Sequence, residues 1–278
     1  MSFQMFSQLF KEIDQATNTY VTDISSNAIV IITPIVSVGL SIAFILYGYL
    51  VMRGAIDMPV SQLLSRCIRI SIITSIALTA GLYQLEIKDF IIEAPNDLAN
   101  ALLSNSQNNH QLANLIDKVA EKGFKCASTA FEEAAFLDAD GLLYGLFGIL
   151  IMLATSFLTA IGGAFILLAK IVLVLLVGLG PLFIISLLWQ PTYRFFEQWI
   201  TQILSYTILI IFLAVVSSIL MSIFASYVTD LKFDGNQNVS YALGGALILS
   251  ILSIVLLLKL SSIAHALAKG VTFGHLWK

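Results

Sequence analysis

"LLYGLFGILIMLATSFLTAIGGAFILLAKIVLVLLVGLGPLFIISLL", residues 142–188, holds a single charged side chain, Lys170. Wholly helical at 1.5 Å per residue, it would reach roughly 70 Å, about two bilayer thicknesses. No soluble core needs so long an uncharged run. Gly162 and Gly163 are the natural place for it to break. The rest of the chain agrees: 278 residues, 58% hydrophobic, 11% charged, with a mean hydropathy of +0.92, describe an integral membrane protein. Alternation of apolar and polar residues is absent, so helices rather than a barrel must span.

Working outward, further apolar runs cover 27–51, 68–85, 201–228 and 241–263. The fold class is all-α, a polytopic helical membrane protein. Residues 1–26 form an N-terminal amphipathic interfacial helix, with Phe3, Phe6, Phe10, Ile13 and Tyr20 at helical spacing. They lack the continuous apolar core of a cleavable signal peptide, so the run from Asn27 to Val51 reads as an uncleaved anchor. Residues 27–85 make the first transmembrane hairpin, with Pro34 in the first turns of its first span, where a missing N–H costs least. Residues 86–140 are an external helical loop, 141–263 a C-terminal transmembrane bundle with a central elbow at 180–200, and 264–278 a tail.

Charge orients these elements. Arg53, Arg66 and Arg69 surround the link that also carries Asp57 and Pro59, which places that link in the cytoplasm and the N-terminus in the periplasm. The 86–140 loop carries ten acids, four lysines and no arginine, a net −6 suited to translocation. Within it, Leu112, Leu115, Ile116 and Val119 trace one apolar face, Gly123 interrupts, and Phe124, Ala127, Phe131 and Ala135 trace a second. Those faces bury either on the chain's own membrane domain or on a partner. A literal count gives six crossings. It sets the basic tail, with Lys269 and Lys278, beside the acidic loop. Five crossings put Arg194, Lys259, Lys269 and Lys278 inside and leave Lys232 outside, so five is preferred and the C-terminus is cytoplasmic.

Catalytic spacing is missing. There is no GxSxG, HExxH, SxxK, CxxC or Walker loop, and "GLGPLF" from Gly178 lacks a third glycine. His110, His265 and His275 are dispersed; the pairs Glu132 with Glu133 and Asp138 with Asp140 lie outside the spans; Cys67 and Cys126 sit in different environments. No enzyme activity, cofactor or metal site is expected. Lys170 is the one notable charge within a span. It reads either as snorkelling toward headgroups past the Gly162–Gly163 break or as facing a cavity or a neighbouring subunit. Gly141, Gly145 and Gly148, and Ser218, Ser222 and Ser226, make small-residue stripes for helix packing.

The elbow "GPLFIISLLWQPTYRFFEQWI", 180–200, gathers what the rest of the chain avoids. Gly178, Gly180 and Pro181 loosen the helix before it, and Pro191 starts a new one. Trp189, Tyr193, Phe196 and Ile200 are expected on one face, with Arg194 and Glu197 close enough to pair on another. Taken alone, this is an interfacial elbow with its aromatic rings at headgroup depth.

The order of these residues, GP, then Trp189, then "PTYRFFEQW", resembles the central segment of the TrbL/VirB-type polytopic inner-membrane subunit of bacterial type IV secretion systems. "YGYLVMRG" at 47–54 and "DMPVSQLL" at 57–64 are similar to that family's first cytoplasmic link. The resemblance implies a non-enzymatic platform that supports pilus assembly and passage of DNA or protein. Its expected partners are pilin, minor pilin, inner-membrane scaffold subunits, secretion ATPases, further copies of itself and membrane lipid. It also implies that Trp199 and Arg194 occupy the family's Trp and basic positions. The competing class is an unrelated small-solute transporter or channel, which would take up or conduct a solute as the purified protein alone.

Overall fold

A computed structural model of the chain describes residues 3–54, 60–79, 83–102, 111–132, 134, 139–230 and 239–269. The expected roles of Asp57, Pro59, His110, Glu133, Ala135, Asp138, Lys232, His275 and Lys278 fall outside them. Every regular element among the described residues is helical. In order they are α1 (Met5–Met52), α2 (Val60–Leu78), a π-helical turn (Tyr83–Ile87), α3 (Lys88–Leu102), α4 (Gln111–Glu132), α5 (Ala139–Gly178), α6 (Gly180–Ile185), two 3-10 turns (Ser186–Leu188 and Gln190–Thr192), α7 (Tyr193–Thr229) and α8 (Val239–Lys269). Among the described residues, four helical segments are long and apolar enough to cross a membrane: Met5–Met52, Tyr144–Gly178, Gln190–Thr229 and Gly244–Lys269. The protein is an all-α polytopic membrane protein. The span expected at 68–85 begins earlier, as α2, whose 19 residues carry Arg66 and Arg69.

Two expected boundaries are not helix breaks. Residues 1–26 and 27–51 are not separate helices, because α1 runs through both for 48 residues. Between residues 15 and 33 there is neither Gly nor Pro. The Ser and Thr hydroxyls there donate back along the helix, Thr22 to Asn18 O (3.2 Å), Ser26 to Thr22 O (2.8 Å) and Thr33 to Ile29 O (2.6 Å), so polar residues do not end it. Pro34 therefore lies deep inside α1 rather than in a first turn. Likewise, α5 continues through Gly162 and Gly163, so 142–178 is one helix and not two. These glycines serve close approach instead: a Cβ at Gly163 would sit 2.6 Å from the Phe6 ring, and one at Gly162 2.9 Å from the Met221 methyl.

The chain forms two compact units. One comprises Met1–Gln15, Pro95–Ile171 and Ser205–Leu267. In it, α4 turns its apolar face, Ala113, Ile116, Val119, Ala120, Ala127 and Ala130, into the interior, with Ala127 and Ala130 against Phe147 and Ile151 of α5. Asp117 of α4 accepts from the backbone N–H of Phe6 (2.9 Å) and Ser7 (2.8 Å) and from the Ser7 hydroxyl, which caps the first turn of α1 from 110 residues away. The amphipathic loop helix thus folds onto its own chain. Gly123 does not interrupt it, and its missing side chain lets Thr155 approach. Of the expected serine stripe, Ser222 and Ser226 are exposed; Ser217, Met221, Phe224 and Val228 form the buried face of α7.

The other unit comprises Ala16–Ala94, Val172–Leu204 and Ala268–Lys278. Val21 of α1 and Val174 and Val177 of α5 form its core, with Ile91 and Ile92 of α3 against them. Here α2 packs most extensively on α6.

Candidate functional site: the elbow and its clamps

Pro181 dictates the local chemistry of the elbow. Having no N–H, it cannot bond the carbonyl four residues earlier, Val177 O, and in an apolar interior an unpaired carbonyl costs about 1–3 kcal/mol. The fold supplies a donor from far along the chain: Tyr83 Oη, on a fully buried side chain, donates to Val177 O at 2.5 Å. One residue earlier, Leu176 O accepts from Trp199 Nε1 at 2.8 Å. The last carbonyls of α5 are therefore held by two aromatic side chains from elsewhere.

Gly180 makes room for the first of these clamps. A Cβ there would lie 1.7 Å from Tyr83 Oη and 2.4 Å from its ring carbon. A glycine before the proline is needed for packing more than for backbone freedom. Trp199 is 4% exposed, stacks on Phe183 of α6 (centroids 5.9 Å apart, 12° between planes) and meets Phe196 at 5.6 Å. Gly180, Pro181 and Trp199 thus act with Tyr83 as one device that fixes a break between α5 and α7. Sequence reading missed Tyr83, although a proline inside an apolar run signals that some donor must replace the lost N–H.

Trp189 does not share a helical face with Tyr193, Phe196 and Ile200. It is extended (φ −121°, ψ 133°) between the two 3-10 turns and ahead of α7. Its ring edge lies 3.3 Å from where a Cβ on Gly39 of α1 would be. Thr192 Oγ1 bridges the turn, donating to Ser186 O (2.7 Å) and Trp189 O (3.0 Å). Pro191 opens the second turn, as expected. The expected Arg194–Glu197 pair does not form: Arg194 is exposed, and Glu197 engages the Tyr193 hydroxyl one turn back.

Lys170 is placed differently again. In the unit built on α4, its Nζ lies 3.1 and 3.2 Å from the two carboxylate oxygens of Asp14 and 5.5 Å from the Phe10 ring centroid. The Lys170 side chain is 13% exposed and that of Asp14 34%. The Asp14 carboxylate reaches it from α1, and α5 runs unbroken past Gly162 and Gly163. Asp14 is the partner that sequence reading missed. Lys259, by contrast, is exposed.

A groove of about 560 Å³ opens beside the elbow, lined by Leu40 and Ala43 of α1, Arg66 and Arg69 of α2, and Trp189 to Pro191 and Tyr193. Arg66 also stacks over Tyr47 at 5.3 Å.

Comparison with known proteins shows the family. A family model described as "TrbL/VirB6 plasmid conjugal transfer protein" matches residues 40–260. A Bartonella quintana (strain Toulouse) protein named "Type IV secretion system protein VirB6" is 29% identical over 94% of this chain and 78% of its own length. One of the same name from Bartonella henselae is 32% identical over 83% of this chain and 69% of that protein. Another from Brucella abortus (strain 2308) is 28% identical over 82% and 67%. The match extends across α2 to α7 and includes the clamped elbow; the chain belongs to the TrbL/VirB6 family.

Proposed function

We propose that this protein is an inner-membrane subunit of a type IV secretion system, a non-enzymatic platform that supports pilus assembly and the passage of DNA or protein. The observation that carries the reading is the clamped break at Pro181, within the segment matched by the family model. Its three parts, a missing N–H and two long-range donors, set a fixed angle between helices and assemble no reactive centre. A rigid joint with exposed Arg194 nearby suits a part that positions other subunits. In this reading the N-terminus is periplasmic, the tail cytoplasmic and the subunit repeated around the axis of the machine. Its neighbours are pilin, minor pilin, scaffold subunits and secretion ATPases.

The test is complementation of a deletion strain. Trp199→Ala and Arg194→Ala are expected to impair assembly or transfer while membrane insertion stays normal. Normal transfer frequency from both variants refutes the role of the elbow, and uptake of a small solute by the purified protein alone would favour the transporter class. Single-cysteine labelling of the tail from the cytoplasmic side tests the orientation.

A further inference from the structure

We infer that α4 and the first turns of α1 form one wall of a water-filled cavity at the depth of the membrane spans. The inference rests on the membrane-spanning fold and not on the secretion role.

Contacts within the unit built on α4 set the depth. Gly123 of α4 lies against Thr155 of α5, and the Ser250 hydroxyl of α8 donates to Ala154 O at 3.2 Å. Two turns further along α5, Gly162 faces Met221 of α7 and Leu257 of α8. The middle of α4 is therefore level with stretches of α5, α7 and α8 that belong to segments apolar enough to cross a membrane. At this level those three helices turn large apolar side chains outward: Phe157, Ile223 and Leu252 are 59%, 50% and 54% exposed. Apolar surface of that extent on the outside of a bundle calls for lipid.

The other flank has the opposite character. In its middle turns α4 exposes Asn114, Lys118, Glu121, Lys122 and Lys125. The three lysines are four and three residues apart, so they form one line along the outer face. Beside it α1 exposes Gln8, Lys11 and Glu12. The two helices are joined where Asp117 caps Phe6 and Ser7 and where the Phe3 ring meets Phe124. Charged side chains at bilayer depth face water or other protein, not acyl chains. Snorkelling does not relieve them all, because Lys118 to Lys125 covers roughly 10 Å along the helix and Glu121 is short. A protein neighbour is the poorer fit, since the cores of interfaces are depleted in Lys and Glu. Water suits both signs of charge, and a charged helix face is tolerated at this depth where it lines a water-filled cavity.

The experiment uses the full-length protein in nanodiscs, with Cys67→Ser and Cys126→Ser as background and one cysteine introduced at a time. Gln8→Cys and Lys122→Cys report the polar flank; Phe157→Cys and Leu252→Cys report the apolar one. A charged, membrane-impermeant methanethiosulfonate is expected to label positions 8 and 122 about a hundredfold faster than 157 and 252, because it attacks the thiolate and lipid burial raises a thiol pKa by about 2 units or more. In a parallel measurement, brominated phosphatidylcholine is expected to quench a bimane attached at 157 or 252 and to leave one at 8 or 122 bright. Two positions on each flank keep the comparison sound if one variant folds poorly. Fast labelling at 157 and 252 as well would place this level outside the bilayer and overturn the proposal. Slow labelling at 8 and 122 overturns it too: with quenching the flank faces lipid, and without quenching it is covered by protein.

Discussion

Lys170 and Asp14 offer the sharpest test of the packing. At 3.1 Å the attraction between unit charges is about 5 kcal/mol at an effective dielectric constant of about 20, and desolvation of both groups offsets much of it. The larger effect is what remains when one partner is removed. Lys170→Met removes the cation from the Asp14 carboxylate; losing one member of a buried pair costs about 3–5 kcal/mol, and the partial exposure of Asp14 points to about 3. Asp14→Asn strands Lys170, which keeps the Phe10 ring and an amide oxygen, so about 2 kcal/mol is expected. The double variant strands no charge and is expected to lose about 2 kcal/mol, a coupling of about 3 between the positions. Unfolding of the purified protein by titration with sodium dodecyl sulfate in mixed micelles reads all four proteins. If the double variant equals the sum of the singles to within about 0.5 kcal/mol, the charges do not interact and the reasoning fails.

Three further outcomes follow from the elbow and from α4. Tyr83→Phe leaves Val177 O without a donor and is expected to destabilise by about 1–3 kcal/mol; adding Pro181→Ala restores an N–H to that carbonyl, so the same change should then cost less than half as much in the unfolding titration. Gly180→Ala drives a methyl into the Tyr83 hydroxyl and is expected to lose about 1–3 kcal/mol, with partial recovery when Tyr83 becomes Leu; no loss would mean that the two do not touch. Burial pushes the Cys126 thiol up to about 11 from 9.0, so near neutral pH its thiolate is about a hundredfold scarcer than on an exposed cysteine. Maleimide labelling of Cys126 should be correspondingly slow and rise tenfold per pH unit up to about 11. A rate already flat above pH 9 would contradict it.

The elbow was legible in its composition and not in its mechanics. Pro181 and Trp199 stand out against an apolar background, and the proline alone announces an orphaned carbonyl. That Tyr83 answers it, from a segment 94 residues away, no local pattern states. The Arg194–Glu197 spacing permits a pair, but spacing does not choose between partners, and Tyr193 takes the glutamate. At Gly162 and Gly163 the reading went wrong for a general reason. Glycine in an apolar helix marks either a break or a close contact, and only the neighbouring side chains, Met221 and Phe6, show which.

The sequence by itself determined that the chain is helical and membrane-spanning, because a bilayer leaves no alternative for long uncharged runs whose backbone groups must be paired internally. It also determined where the chain must bend, since Pro181 cannot continue the hydrogen-bond ladder. Tertiary structure alone decided how many helices those runs became, what the loop helix rests on, and which carboxylate meets Lys170. Each of these is a contact between residues distant in the chain, governed by shape and by the need to satisfy buried charge, and periodicity along one strand of sequence carries no record of it.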